Sequence, residues 1–202
     1  MQFIFPIIGY LVGSVSAAII VCRLMRLPDP RAEGSGNPGA TNVLRVGGKV
    51  AAAITLLGDA AKGFIPVIAA HAMDVQPLWV GLTAVACVLG HLYPVFFQFQ
   101  GGKGVATTIG TVFGMSWLSG LLLIASWLAL SLLFRISSLA ALGSLLVLPV
   151  FLWITTRSGA IVVCSVAIGV MVFWRHKENI RRLLRGEEPK IGKKATAKTP
   201  LK

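Results

Sequence analysis

Residues 137–155 read Ser-Ser-Leu-Ala-Ala-Leu-Gly-Ser-Leu-Leu-Val-Leu-Pro-Val-Phe-Leu-Trp-Ile-Thr, nineteen positions without a charge, bracketed by Arg135 and Arg157. A run of ~20 apolar residues is the length of helix that crosses the ~30 Å hydrocarbon core of a bilayer. The pattern recurs at 3–22, 50–71, 77–97, 105–117, 119–134 and 159–174. These runs predict an all-α polytopic membrane helix bundle of about seven transmembrane helices. The runs 105–117 and 119–134 are short, because ~13 residues of helix rise only ~20 Å. They could be one interrupted unit or a re-entrant pair around Met115-Ser116-Trp117, which leaves five or six spans as alternatives.

Bulk composition agrees. Hydrophobic residues make up 55% of the chain and charged residues 13%, with a mean hydropathy of +0.80, against about 45–50% and about 25% in soluble domains. The 202 residues suit one integral membrane domain, 1–188, followed by a tail, 189–202. That tail is basic, rich in small residues and aperiodic, so it is expected to be disordered, cytoplasmic and weakly attracted to anionic lipid. The first apolar run has no basic segment before it and no cleavage site after it, which predicts a retained span rather than a signal peptide. Cys22, Cys87 and Cys164 all lie inside apolar runs, and neither they nor the histidines and carboxylates show metal-ligand spacing, so no metal or cofactor is expected.

The net charge of +12 has a topological reading. With the N-terminus outside, 17 of the 19 lysines and arginines fall in inner segments: five between Arg23 and Lys49, then Lys103 and Arg135, and ten from Arg175 onward. Basic residues accumulate in cytoplasmic loops. An odd number of spans then places the C-terminus inside. Nucleic-acid binding is not expected, because the basic residues border spans rather than lining a polar face.

Three inner segments carry polar chemistry. The first holds Gly34-Ser35-Gly36-Asn37-Pro38-Gly39-Ala40-Thr41-Asn42, where glycines and proline prevent a regular helix and let backbone N–H groups converge on an anion. Thr41 or Asn42 is expected to cap a short helix leading to Arg45, which could close the site with paired hydrogen bonds. The alternative is a flexible connector. The second, Gly101-Gly102-Lys103-Gly104, lacks the Walker spacing, since glycine follows Lys103. What remains is a lysine on a loop open to close backbone approach, or an ordinary basic turn. The third opens with Arg175-His176-Lys177-Glu178-Asn179. A helix continuing through it would set His176 and Asn179 on one face and Ile180, Leu183 and Leu184 as an apolar stripe at the membrane interface. Glu178 can pair with Arg181 or Arg182, a structural role.

Asp59 and Lys62, three residues apart near the middle of the second span, can satisfy one another or face a polar cavity. His91 and Tyr93, before Pro94, read as packing or hydrogen-bonded residues.

Gly34 to Arg45, Gly90-His-Leu-Tyr-Pro-Val-Phe-Phe97 leading into Gly101 to Thr107, and His176 to Arg181 together resemble the acyl-phosphate-dependent glycerol-3-phosphate acyltransferase family, over the chain from the first span to about Ile191. The resemblance implies a seven-helix enzyme of the bacterial inner membrane, its active site facing the cytoplasm. Such an enzyme transfers a fatty acyl group from a long-chain acyl phosphate to the 1-hydroxyl of glycerol 3-phosphate, giving lysophosphatidic acid and phosphate. It further implies Ser35 and His176 as active-site residues, and Arg45, Lys103 and Asn179 as substrate-binding residues. Thr41 and Asn42 are further contacts, and Gly101, Gly102 and Gly104 help receive the acyl phosphate. The implied partners are the two substrates and membrane lipid.

Two other classes compete. Acyltransferases that use His-x4-Asp are disfavoured, because Gln76, Phe96 and Arg181 stand five residues beyond His71, His91 and His176. A transporter of organic phosphates would also want a basic pocket, yet the polar residues gather on one side and no matched pair of interrupted spans suggests inverted repeats. A structural membrane partner would leave both glycine loops unexplained.

Overall fold

The structure, a computed structural model, describes residues 2–191. The tail from residue 192 onward, for which disorder is expected, lies outside the described residues. Those described form nine α-helices and no strand: α1 (Ile4–Gly13), α2 (Ala17–Leu24), α3 (Ala40–Ala72), α4 (Pro77–Leu92), α5 (Val105–Met115), α6 (Trp117–Phe134), α7 (Ser137–Thr156), α8 (Gly159–Arg175) and α9 (Lys177–Leu184), with a 3₁₀ turn at Val95–Phe97.

Helix occupies every predicted span, with three departures. The first span is broken between α1 and α2, where Ser14 Oγ donates to the Tyr10 carbonyl and Ser16 Oγ caps α2 by accepting from the Ile19 amide. The second is the inner part of α3, whose backbone departs from helix at Gly48 (φ 78°, ψ −173°). That left-handed residue separates a short helix carrying Arg45 from the span that follows. The third departure is the end of the seventh run. Helix α8 stops at Arg175, and α9 turns away by 65° with His176 at the break, so the condition of a helix continuing straight through this segment is not met. The reason is a change of surroundings, since Lys177–Leu184 is polar on one face and apolar on the other and Leu184 is 84% exposed, the pattern of a helix lying in the interface plane.

By length and apolarity five segments can cross a bilayer, and six if α8 and α9 form one bent span. Helix α5, at eleven residues, is too short for a ~30 Å core. It sits against α3 at backbone distance instead, where a Cβ on Gly110 would lie 1.9 Å from the Ala60 carbonyl oxygen. Only Ser116 separates α5 from α6, and its Oγ caps α6 by accepting from the Ser119 amide.

The buried centre comprises Val67, Val88, Leu92, Val112, Leu148, Leu152, Ile168 and Val172 from α3, α4, α5, α7 and α8. The outside is as apolar as the inside: Leu57, Leu132, Leu146 and Val163 are each more than 65% exposed. Such a surface is stable only in lipid.

Candidate active site

The loop between α2 and α3 is shaped by one amide. Asn42, buried in the first turn of α3, accepts from the Ser35 N–H at 2.9 Å and donates to the carbonyls of Pro30 and Glu33 at 2.8 and 2.9 Å. The helix starts at Ala40 with Gly39 as its cap, so neither Thr41 nor Asn42 caps it as expected. The amide of Asn42 is fully committed to the loop. Thr41 and Arg45 are exposed on the short helix beside it.

A second loop runs beneath the first. The Gly102 N–H donates to the His91 carbonyl at 3.1 Å. Arg175, over the Tyr93 ring at 5.4 Å, donates Nε to the Gly102 carbonyl at 3.1 Å and Nη2 to the Gly101 carbonyl at 2.8 Å. A Cβ on Gly101 would fall 2.0 Å from the His91 oxygen, so only glycine fits there. Gly104 (φ 89°) begins α5, and the space a side chain would fill is bounded by Leu92, Val88 and Val172. It therefore turns the chain and faces the core.

The α8–α9 break supplies the third wall. Ser35, Gly36, Asn37, Gly101, Trp174, Arg175, Lys177 and Glu178 line an open cleft of about 250 Å³, and Arg31, Pro38, Phe99 and Gln100 extend it past Gly36 and Gly101. All three predicted segments thus meet at one end of the bundle. His176 and Asn179 are both buried at this junction. His176 Nδ1 lies 2.8 Å from the Val172 carbonyl. A carbonyl can only accept, so Nδ1 carries the proton and Nε2 keeps a lone pair. Burial pushes the His176 pKa down to about 4, and the ring is neutral at pH 7.

Lys103 Nζ donates to Asn179 Oδ1 at 2.6 Å. Burial lowers the Lys103 pKa to about 8, against the pull of the Glu188 carboxylate, and the charges of Arg182, Arg175 and Arg45 push the same way as burial. The ammonium form still prevails at neutral pH. Arg45 belongs to this site through its field, not through a hydrogen bond.

Glu188 is the residue that the sequence reading missed. Its carboxylate accepts from Ser138 Oγ at 2.7 Å, from Arg182 Nε at 2.7 Å and from the Asn179 amide, and those bonds hold its pKa below the usual carboxylate range against burial. Gly186 turns the chain out of α9, and the Ile191 N–H reaches the Arg135 carbonyl at 2.7 Å. The opening of the presumed tail is thus packed on the α6–α7 turn. The available signal was an acidic pair inside an otherwise basic stretch. Glu178 does pair with Arg181 at 2.7 Å, but both side chains are more than half exposed, so the buried structural carboxylate of this region is Glu188.

What fold and cleft define together is a polytopic membrane protein with a polar, mostly cationic site at one end of an apolar bundle. A family model described as glycerol-3-phosphate acyltransferase matches residues 3–186. Two relatives bearing that name, from Thioalkalivibrio sulfidiphilus and Methylococcus capsulatus, are 54% and 52% identical over 95% and 92% of this chain, and the matches cover 94% of each relative. The chain belongs to the glycerol-3-phosphate acyltransferase family. Crystal structures of PlsY (YgiH), an integral membrane glycerol 3-phosphate acyltransferase, superpose with TM-scores of 0.90 for the glycerol 3-phosphate form and 0.88 for the lysophosphatidic acid form. Their identities are 38% and 37%, over 95% of this chain and 96% and 95% of those chains.

Proposed function

We propose that this chain moves a fatty acyl group from a long-chain acyl phosphate to the 1-hydroxyl of glycerol 3-phosphate, at the cytoplasmic face of a bacterial inner membrane. The observation that carries this reading is the convergence of two glycine loops, Arg175 and the turn after α8 on one cleft beside lipid-facing helices, with the Lys103–Asn179 bond and His176 buried behind its lining. A phosphorylated head fits among the cations and backbone amides, while an acyl chain lies along the apolar surface.

The step needs little from the protein beyond placement and charge. The C1 oxygen attacks the acyl carbonyl carbon, a C–O ester bond forms, and the anhydride C–O bond to phosphate breaks with its electron pair leaving on phosphate. Lys103 and Arg45 offset the departing charge, and Ser35 and Asn179 orient the reactants. Thr41, Gly101 and Gly102 border the bound phosphates, while Asn42 and Gly104 act by shaping the loops. The hydroxyl proton passes to a substrate phosphate, whose second pKa of ~6 makes it a better acceptor than an imidazole at about 4. His176 Nε2 then serves as the hydrogen-bond acceptor that aims the hydroxyl.

Purified protein supplied with palmitoyl phosphate and glycerol 3-phosphate is expected to yield lysophosphatidic acid and phosphate in equal amounts, with palmitoyl-CoA inert. Turnover with palmitoyl-CoA but not palmitoyl phosphate would overturn the donor. Uptake of glycerol 3-phosphate into proteoliposomes with no acyl product would favour a transporter.

A further inference from the structure

Three ionisable side chains lie buried in the bundle, outside the cleft, and the transfer makes no direct use of them. Asp59 and Lys62 of α3 form an ion pair at 2.9 Å with 3% and 7% of their side chains exposed, and His91 Nδ1 stands 3.5 Å from the same carboxylate oxygen. Lys62 Nζ also donates to the Val15 carbonyl at 2.7 Å, an acceptor freed by the break between α1 and α2. Charge in an apolar interior is costly, and a buried pair contributes less stability than apolar packing of equal volume. Stability alone is therefore a weak reason for this arrangement.

The far side of His91 supplies a better one. Its carbonyl receives the Gly102 N–H, and its ring Nε2 lies so close to Gly102 that a Cβ there would sit 2.3 Å away. The Gly102 carbonyl is in turn held by Arg175 Nε, and the next residue is Lys103. Contacts thus lead from the α1–α2 break through Lys62 and Asp59 to His91, whose Nδ1 approaches the Asp59 carboxylate at 3.5 Å without a hydrogen bond, and on to the second glycine loop. A loop with three glycines in four residues has large backbone freedom, and the buried imidazole against Gly102 limits that freedom.

We propose that His91, oriented by the Asp59–Lys62 pair, is a positioning residue that sets the second glycine loop, and through it Lys103 and the free amides opening α5, against the phosphate of a bound substrate. The inference rests on the assignment of that loop to a phosphorylated substrate. It differs from a purely structural role in acting on substrate affinity through the contact of the His91 ring with Gly102.

The test is steady-state kinetics on purified wild type, His91→Ala, His91→Gln, Gly102→Ala, the His91→Ala/Gly102→Ala double variant, and Asp59→Leu/Lys62→Met, which exchanges the pair for apolar side chains of similar volume. KM and kcat are measured for glycerol 3-phosphate and palmitoyl phosphate separately. His91→Ala and Gly102→Ala are each expected to raise one KM about tenfold or more with a smaller change in kcat, and the KM affected identifies whose phosphate the loop holds. The double variant is expected to be no worse than the poorer single variant, because both act on one contact. His91→Gln, which keeps a donor for Asp59, recovers most of the affinity. Asp59→Leu/Lys62→Met folds as stably as wild type yet shows the raised KM. Additive losses in the double variant, or wild-type KM values in Asp59→Leu/Lys62→Met, overturn the proposal. If acyl phosphate is not the donor, wild type is inert with it, and the same KM comparison is made with palmitoyl-CoA, so the two failures remain distinct.

Discussion

His176 and Lys103 are both shifted from their ordinary values, the first with a consequence for stability against pH and the second for the basic limb of the activity profile. His176 has a folded pKa of about 4 against about 6.5 in an unfolded chain, so the unfolded state binds more protons between those values. Stability is therefore full above pH ~6.5 and declines as pH falls toward about 4. Thermal unfolding in detergent from pH 7.5 to 4.5 is expected to show that decline, and His176→Gln should flatten it. Lys103, at about 8, loses its ammonium above that pH, so kcat/KM is expected to fall on the basic side near pH 8. Lys103→Met should remove that limb and lower activity by ~10²-fold, in the range for losing one charge-stabilising donor. The acid limb of kcat/KM is expected near ~6, the second pKa of a phosphate monoester. An acid limb near 4 would make His176 the proton acceptor.

The carboxylates of the α9 region offer a contrast at the same scale. Glu178→Gln removes an exposed ion pair worth ~0.5 kcal/mol. Glu188→Ala deprives Ser138, Asn179 and Arg182 of an acceptor; Arg182 is 40% exposed and turns to water, but the buried Ser138 and Asn179 groups so stranded cost ~1–3 kcal/mol each. Unfolding midpoints should separate the two variants clearly, and equal midpoints would contradict the buried role of Glu188.

Among the elements, the legibility of the sequence followed the kind of force at work. Apolar run length located the helices of the bundle, because lipid demands continuous hydrophobicity and internally paired backbone, although five or six of them rather than seven are long and apolar enough to cross. The positions of glycine, lysine and histidine likewise marked the three segments that converge on the cleft. Run length said nothing about the bend at His176 or the break at Gly48, which depend on where a chain leaves the hydrocarbon and on one left-handed residue. Helix α5 was legible as a short apolar run, but its seating on α3 was not, since that depends on a Gly110–Ala60 approach between distant parts of the chain. Glu188 was missed, and the role of Arg175 was not legible, for a similar reason: Glu188 reaches back to Ser138, and Arg175 to Tyr93, Gly101 and Gly102. The α3–α5 contact is testable: Gly110→Val should force the two backbones apart and lower the unfolding midpoint far more than Gly169→Val, where nothing lies within 4 Å of the added Cβ.

At the scale of the whole molecule, the buried centre and the lipid-facing shell are almost equally apolar, and orientation depends on the basic residues at the ends of helices. With the site on the cytoplasmic side, Arg185 and Arg157 lie on opposite sides of the membrane. The native cysteines are buried, so single substitutions can be read without removing them. Arg185→Cys is expected to react with an impermeant thiol reagent only in inside-out vesicles, and Arg157→Cys in intact cells. The reverse pattern would place the cleft outside.

Because the site closes around residues at both ends of the sequence, its assembly has an order in time. A chain synthesised only as far as Arg175 already holds the first loop, the second loop and nearly all of the apolar bundle, yet it lacks His176, Asn179 and Glu188. Lys103 then has no amide partner, and the cleft has two walls instead of three. During biosynthesis the cleft is therefore complete only once the segment beyond the bend after α8 has been made.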